Sequence, residues 1–219
     1  MKITAIVPVK GNSERVKNKN TRKFADTNLL ALKLNHLKKV KNLDDVVVSS
    51  ENNDILDYVD KQGFKTHKRD KFYSTSSVPM SEVYKYLATE IGSEIIAWIN
   101  ITNPLADSNF YINAINKYKE MDHKKYDCLL SAFELRENFY YEEKPINFEP
   151  SPWPRSQDLT PLYSLSFVIN ILQRQQMIDW GSCVGKKPFF FIGDKISSWD
   201  IDDMTDFEFC EFIFKSRRV

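Results

Sequence analysis

No apolar run in the chain approaches the ~20 residues that a membrane-spanning helix requires. The first residues, MKITAIVPV, lack the basic start, the longer apolar stretch and the small-residue cleavage site of a secretory signal. A soluble, cytoplasmic protein with no membrane partner is expected. Cysteine is scarce: Cys128, Cys183 and Cys210 are odd in number, widely spaced and free of any C-x-x-C pair, which suggests neither a disulfide framework nor a zinc site. His36, His67 and His123 are equally scattered, without partners at ligand spacing, so no histidine-based metal or nucleophilic centre is expected. Only 6 glycines occur, and none completes G-x-G-x-x-G or G-x-x-x-x-G-K-[ST], so the dinucleotide fingerprint and the P-loop are both absent. Charge of either sign is not in excess, because 31 Lys+Arg against 30 Asp+Glu leave +1. No global field draws the chain to nucleic acid or an anionic membrane, and any anion site must be local.

What the sequence does contain is enough apolar material for a core. Hydrophobic residues make up 42% and aromatics 13% of 219 residues, which argues against disorder and for a single domain over 1–219. Ile3 to Val9 is a β-branched run too short for a buried helix, so it reads as a central parallel strand. The stretch from Lys10 to Asn20 is polar, basic and rich in Asn, and reads as a long loop. From Asn28, apolar residues recur at helical spacing through Leu37 and Val40, and Val46 to Val48 returns to strand character. The alternation continues. A helix capped by Asn52 or Asn53 runs to Gly63, followed by a short strand to His67, a helix over 81–89 and a buried strand within Glu94 to Ile101. A helix from Asp107 or Ser108, a strand over 126–133, strands over 163–172 and 189–192, and a closing helix over 203–215 complete it. Such alternation predicts an α/β fold, a three-layer, Rossmann-like, mostly parallel sheet with helices on both faces. Ligands are expected beyond the carboxyl ends of its strands, where the loop after Val9 lies.

Between Glu134 and Leu159 the rhythm breaks into prolines and aromatics. Phe139, Tyr140, Tyr141, Phe148 and Trp153 offer too much apolar surface to leave in water, so this is not a linker. An inserted arm at 134–160, packing on a second copy to give a homodimer, is expected; a lid over the chain's own site is the alternative.

Three segments carry chemistry. Lys10, Gly11, Asn12, Ser13, Arg15, Lys17 and Lys19 share one loop, where backbone N–H groups and cations can converge on a polyphosphate; a merely solvated basic loop fits the spacing as well. Asp200 and Asp202 stand at i and i+2 after a short strand, so alternation places them on one side, as suits Mg²⁺ with a phosphate completing its shell. Capping of the last helix by Asp202 or Asp203, with Asp206 against its dipole, is the competing reading. Asn100 and Thr102 end the fourth strand with short polar groups able to read a base or sugar edge, although Asn103-Pro104 is also an ordinary turn.

These pieces together resemble the acylneuraminate cytidylyltransferase family. VPVKGNSERVKNKN is similar to that family's nucleotide loop, I-P-A-R-x-x-S-K-x-x-x-x-K-N, keeping Lys19-Asn20. VVVSSENNDILDYVDKQG resembles its second β-α unit, INITNPLADSNFYINAI its T-S-P-L-R stretch, RSQDLTPLY its R-Q-D-L-P segment and WDIDDMTDFEF its D-I-D-x-x-x-D-F end. The resemblance implies a Mg²⁺-dependent transfer of CMP from CTP to a sialic-acid-like or related 3-deoxy sugar acid, with release of pyrophosphate, for surface glycan biosynthesis such as lipopolysaccharide or capsule. It implies that Lys10, Gly11, Asn12, Ser13, Arg15, Lys19, Asn20, Ser74 and Asn100 hold the nucleotide. Thr102, Arg155 and Gln157 would lie near the sugar acid, Asp200 and Asp202 would bind Mg²⁺, and Lys10, Lys19 and Asp202 would act in catalysis. The chain departs from the pattern at Lys10, where the family has arginine, and at Glu14, where it has lysine; Arg15 is expected to compensate. RSQDLTP carries an extra residue, and Ser166-Phe167 stands near the family's Asn-Gly, so the acceptor pocket is expected to differ from that for sialic acid. A metal-dependent nucleotide-sugar glycosyltransferase and a catalytically idle nucleotide-binding protein are the rival readings.

Overall fold

The computed structural model describes residues 1–217. Its elements, in chain order, are β1 (Ile3–Pro8), α1 (Leu29–Leu37), β2 (Asp45–Ser50), α2 (Asn53–Lys61), β3 (Lys65–Lys68), α3 (Met80–Glu90), β4 (Ile95–Trp98), α4 (Ser108–Glu120) and β5 (Cys128–Leu135). They continue with β6 (Tyr140–Tyr141), β7 (Lys144–Pro145), β8 (Leu162–Gln173), α5 (Arg174–Trp180), β9 (Pro188–Ile192) and α6 (Met204–Ser216). The helix starts follow from local chemistry. Asn28, Asn52, Asp107 and Asp203 are extended N-caps whose side chains accept a backbone N–H from the first turn of α1, α2, α4 and α6 respectively. Past α2 the chain reverses through Gly63, whose φ of +81° only glycine adopts without strain.

Seven strands form one sheet in the order β3-β2-β1-β4-β8-β5-β9. β1 pairs in parallel with β2 and β4, and every residue from Ile3 to Val7 is buried, because helices cover both faces. One apolar layer gathers the side chains of α1, α2, α4 and α6; the other gathers α3 and α5 around Trp98, Leu130 and Leu172. The sheet is mixed rather than wholly parallel: β8 runs antiparallel between β4 and β5. The reason is the segment that precedes it. A parallel return needs a crossover, usually a helix, whereas residues 136–161 stay at the end of the sheet where β5 stopped, so β8 must run back.

That segment covers most of the stretch read from sequence as an arm at 134–160. Its small hairpin, β6 with β7, turns through Glu142 and Glu143 at φ of 46° and 65°, the left-handed pair of a tight hairpin turn. Buried Asn147 fastens the neck: its amide nitrogen donates to the carbonyls of Glu137 (2.8 Å) and Thr160 (3.1 Å), and its oxygen accepts from the Phe139 N–H (3.0 Å). α5 and the turns at Lys71–Ser74 and Ser156–Asp158 were not legible in the periodicity, being one or two turns long.

One core residue is out of type. Lys33, on α1, is 1% exposed and packs its ammonium 4.9 Å from the ring of Tyr111 on α4. Burial lowers its pKa from the usual 10.5 to about 7, against an opposing pull from Asp200. Below pH 7 the amine is protonated in both folded and unfolded chains. Between about 7 and 10.5 the unfolded chain holds a proton that the folded one does not, so this group adds stability as pH rises. The unfolding free energy of the wild type, measured by denaturant titration relative to Lys33→Met, should therefore climb from pH 7 to 9 at up to ~1.4 kcal/mol per pH unit. A difference independent of pH would contradict a buried, titrating Lys33.

Candidate functional site

The chain leaves β1 toward β2 on one side of the sheet, and later enters β4 on the other, so the loops at the ends of β1 and β4 diverge. The cleft that results has a volume of about 470 Å³. It is lined by Lys10, Asn12, Ser13, Glu14, Arg15, Lys19 and Asn20 from the first loop, by Ser74, Ser76 and Met80 on one rim, and by Asn100, Thr102, Asp200 and Asp202 on the other. Eleven of the residues singled out from sequence thus converge, from four separate stretches of chain.

The first loop is held without regular structure. Buried Asn20 donates its amide to the Lys10 carbonyl at 2.9 Å and receives the Leu30 N–H on its own carbonyl at 3.0 Å, tying the loop's two ends together at the start of α1. Lys19 donates to the carbonyl of Ile201 at 2.5 Å. Burial lowers the Lys19 pKa, while neighbouring Asp200 and Asp202 pull the other way. The charge reversal at Glu14 stays within the cleft lining, where its carboxylate accepts the Ser76 hydroxyl at 2.8 Å. Arg15 instead reaches Asp202, at 2.7 Å. Both partners are more than half exposed, so this ion pair contributes little and exchanges readily.

Asp200 and Asp202 do not follow directly on a strand. They lie in an irregular stretch after β9, with Ile201 between them fully buried and its N–H donated to the Thr102 carbonyl at 2.9 Å. That anchor sends the two flanking carboxylates into the same cleft, the outcome expected from alternation reached by another route. Helix capping falls to Asp203, in a reciprocal box with Asp206, and Asp206 also accepts the Asp202 N–H at 2.9 Å and the Trp199 indole N–H at 3.0 Å. The side chain of Asp202 is therefore not used as a cap. Burial raises the pKa of Asp200, although the Thr102 hydroxyl favours its charged form. Oδ1 of Asp200 is buried with no hydrogen-bond partner among the described residues. Two carboxylates, one with an orphaned oxygen, beside a cleft open to phosphate oxygens, fit Mg²⁺. No group of three or more His, Cys, Asp and Glu suited to a metal occurs among the described residues.

Three sequence candidates lie elsewhere. Gly11 does not face this cleft: its N–H donates to Glu51 at 2.6 Å, and a Cβ there would meet Asn52 at 2.7 Å, so it permits close packing of the loop. Arg155 is paired with Asp158 on the arm, and the Gln157 carbonyl accepts from Arg136; neither lines the cleft of its own chain.

Conversely, Glu51 and Arg69 were not foreseen. Glu51 accepts the Gly11 N–H on one oxygen and, on the other, the Ser74 hydroxyl at 2.9 Å and Arg69 at 3.1 Å. Burial alone would raise its pKa, but these donors outweigh it and hold the carboxyl below its usual range. Arg69, 2% exposed, also donates to the Val9 carbonyl at 2.7 Å. The pair joins the ends of β1 and β2 to the rim at Ser74. An acid directly after a strand was the only available signal.

The family described as cytidylyltransferase matches residues 4–148. Over 230 residues, 99% of this chain and 97% of the relative, the sequence is 23% identical to the post-translational flagellin modification protein B of Campylobacter coli. It is 25% identical over 228 residues to a pseudaminic acid cytidylyltransferase of Campylobacter jejuni, covering 98% and 97% of the two chains. An N-acylneuraminate cytidylyltransferase of Escherichia coli is 25% identical over 216 residues, 94% of this chain and 51% of that protein. In fold, the chain is similar to a solved CMP:2-keto-3-deoxy-manno-octonic acid synthetase complexed with CTP, with a TM-score of 0.71, 9% identity and coverage of 99% and 100%. The match over residues 4–148, the full-length relatives and the cleft at the crevice of the sheet lead to one conclusion: the chain belongs to the cytidylyltransferase family.

Proposed function

We propose that the protein transfers CMP from CTP to a sialic-acid-like or related 3-deoxy sugar acid, releasing pyrophosphate, and that this serves surface glycan synthesis. The observation that carries the reading is the convergence of the Lys10–Asn20 loop with Asp200 and Asp202 in one cleft. The names of the relatives, which include pseudaminic acid and N-acylneuraminate cytidylyltransferases, support the acceptor class.

Chemically, an acceptor hydroxyl attacks the α-phosphorus of CTP in line and pyrophosphate leaves. Catalysis of this kind is mostly positioning and neutralisation of charge. Lys10, Lys19 and Arg15 line the cleft and offset charge developing on the leaving pyrophosphate. Arg15 is held only by the exposed pair with Asp202 and is free to turn to a phosphate, while the Glu14 carboxylate is engaged by the Ser76 hydroxyl. Asn12, Ser13 and Asn20 line the same loop and orient the triphosphate, and Asn100 and Thr102 face the base and sugar. Asp200 and Asp202 would hold Mg²⁺, which would supply charge to neutralise phosphate oxygens. The idle-protein reading draws on Glu14 and on the altered acceptor segment; the engagement of the Glu14 carboxylate by the Ser76 hydroxyl speaks against the first of these.

The same reading assigns the arm to a homodimer. Tyr140, Tyr141 and Trp153 are 57%, 67% and 66% exposed. At the same end of the sheet, Tyr163 stacks on Phe190 at 5.2 Å with Ile192 on the same face, the one that carries α3 and α5, where these three side chains are at least partly exposed. A second copy on this surface would bury the aromatics and bring Arg155 and Gln157 toward its neighbour's cleft.

Three outcomes follow from this assignment. Asp200→Asn plus Asp202→Asn should abolish Mg²⁺-dependent pyrophosphate release from CTP and sugar acid while leaving the circular dichroism unchanged; near-wild-type release would refute the metal assignment. CTP should raise the melting temperature more than ATP or GTP, because a cytidylyltransferase pocket beside the rim near Ser74 would have to reject a purine by size; equal shifts would overturn the base assignment. Light scattering coupled to size exclusion should give the mass of two 25.7 kDa chains, falling to one in Tyr140→Asp plus Tyr141→Asp, whereas a monomeric wild type would rule out the dimer.

A further inference from the structure

A lysine closed into an apolar core costs stability relative to an aliphatic side chain of similar volume, unless its amine is engaged. Lys33 is engaged on the hidden side of the cleft floor. Its Nζ donates to the Asn103 carbonyl at 2.9 Å and shares a second hydrogen bond with the Tyr111 hydroxyl. Asn103 is itself fully buried, and its side-chain amide donates onward to the carbonyl of Trp199 at 3.2 Å and to that of Ser166 at 3.1 Å. One residue earlier, the Thr102 carbonyl accepts the Ile201 N–H at 2.9 Å. The turn at 102–103 therefore grips the backbone immediately before and immediately after Asp200, and Lys33 holds that turn from beneath.

We propose that Lys33 is a positioning residue for the metal carboxylates, acting through the Asn103 turn to fix where Asp200 presents its orphaned oxygen. This rests on the reading of Asp200 and Asp202 as the Mg²⁺ ligands. Lys33 makes no hydrogen bond to either carboxylate and does not line the cleft, so its removal acts on the carboxylate pair, through the turn and through its charge near Asp200, and not on nucleotide contacts. Groups that hold the ligands of a metal in place typically change its affinity by ~10–100-fold when removed.

The test uses Mn²⁺ as probe, with the full-length protein saturated by the α,β-methylene analogue of CTP. Electron paramagnetic resonance reads bound Mn²⁺, calorimetry in EDTA reads the analogue alone, and a melting curve reports on the fold. Lys33→Met should weaken Mn²⁺ by roughly tenfold or more and leave the analogue's affinity in EDTA unchanged. Asn103→Ala, which cuts the same chain of contacts one link closer, should do likewise, and it carries the test if Lys33→Met does not fold. Tyr111→Phe, which removes the other partner of the amine but spares Asn103, should lower the melting temperature without weakening Mn²⁺. Wild-type Mn²⁺ affinity in both Lys33→Met and Asn103→Ala overturns the inference, as does an equal loss in Tyr111→Phe or a parallel loss of analogue affinity in EDTA. A wild type that takes up the analogue but no Mn²⁺ overturns the metal assignment and the inference with it; one that takes up neither overturns the proposed function.

Discussion

The divergence of the chain on either side of β1 is the constraint on which the site depends. Because β2 is added to one edge of β1 and β4 to the other, the loops leaving β1 and β4 have no reason to pack on each other, and a crevice opens between them. Everything that fills its walls is then tied down from behind. Glu51 and Arg69 join the ends of β1 and β2 to the rim at Ser74, and Asn20 closes the loop on itself. Thr102 and Asn103 carry the end of β4 across to residues 199–201. A stretch with no regular structure of its own can present side chains in fixed places because its backbone groups are bonded to the sheet ends.

The electrostatics of the cleft follow from the same arrangement. Two carboxylates sit with Lys10, Arg15 and Lys19 around a shared space, so each sign moderates the other while no triphosphate is there. The Arg15–Asp202 contact is exposed and weak, and Lys19 rests on a main-chain carbonyl. Buried Arg69 pairs instead with half-buried Glu51, which holds the frame and leaves the cleft's own charges free to change partners.

Much of the fold was legible because period and punctuation agree. β-branched runs separated by helices with Asn caps mark out the parallel strands β1 to β3 closely, as the caps at Asn28 and Asn52 illustrate. The direction of β8 was not legible, because an apolar run reads the same in either sense and only the course of the arm decides it. Within the site, residues bearing charge or short polar groups on the first loop were found by type, since a polyphosphate needs such groups close together. Gly11 was misplaced because composition does not say which flank of a loop a backbone N–H faces. Lys33 and Arg69 escaped notice since each lies in a stretch that reads as helix or turn with an ordinary surface cation, and only packing reveals that both are buried.

The central claim is that this cleft moves a cytidylyl group, and the phosphorus atoms themselves report on it. Phosphorus NMR of CTP with Mg²⁺, the wild-type protein and each of a panel of nonulosonic and octulosonic acids should show the α-phosphorus resonance becoming that of a phosphodiester for at least one acid, with pyrophosphate appearing in equal amount. CTP left intact with every acid, or hydrolysed to free CMP with no phosphodiester formed, would contradict the account.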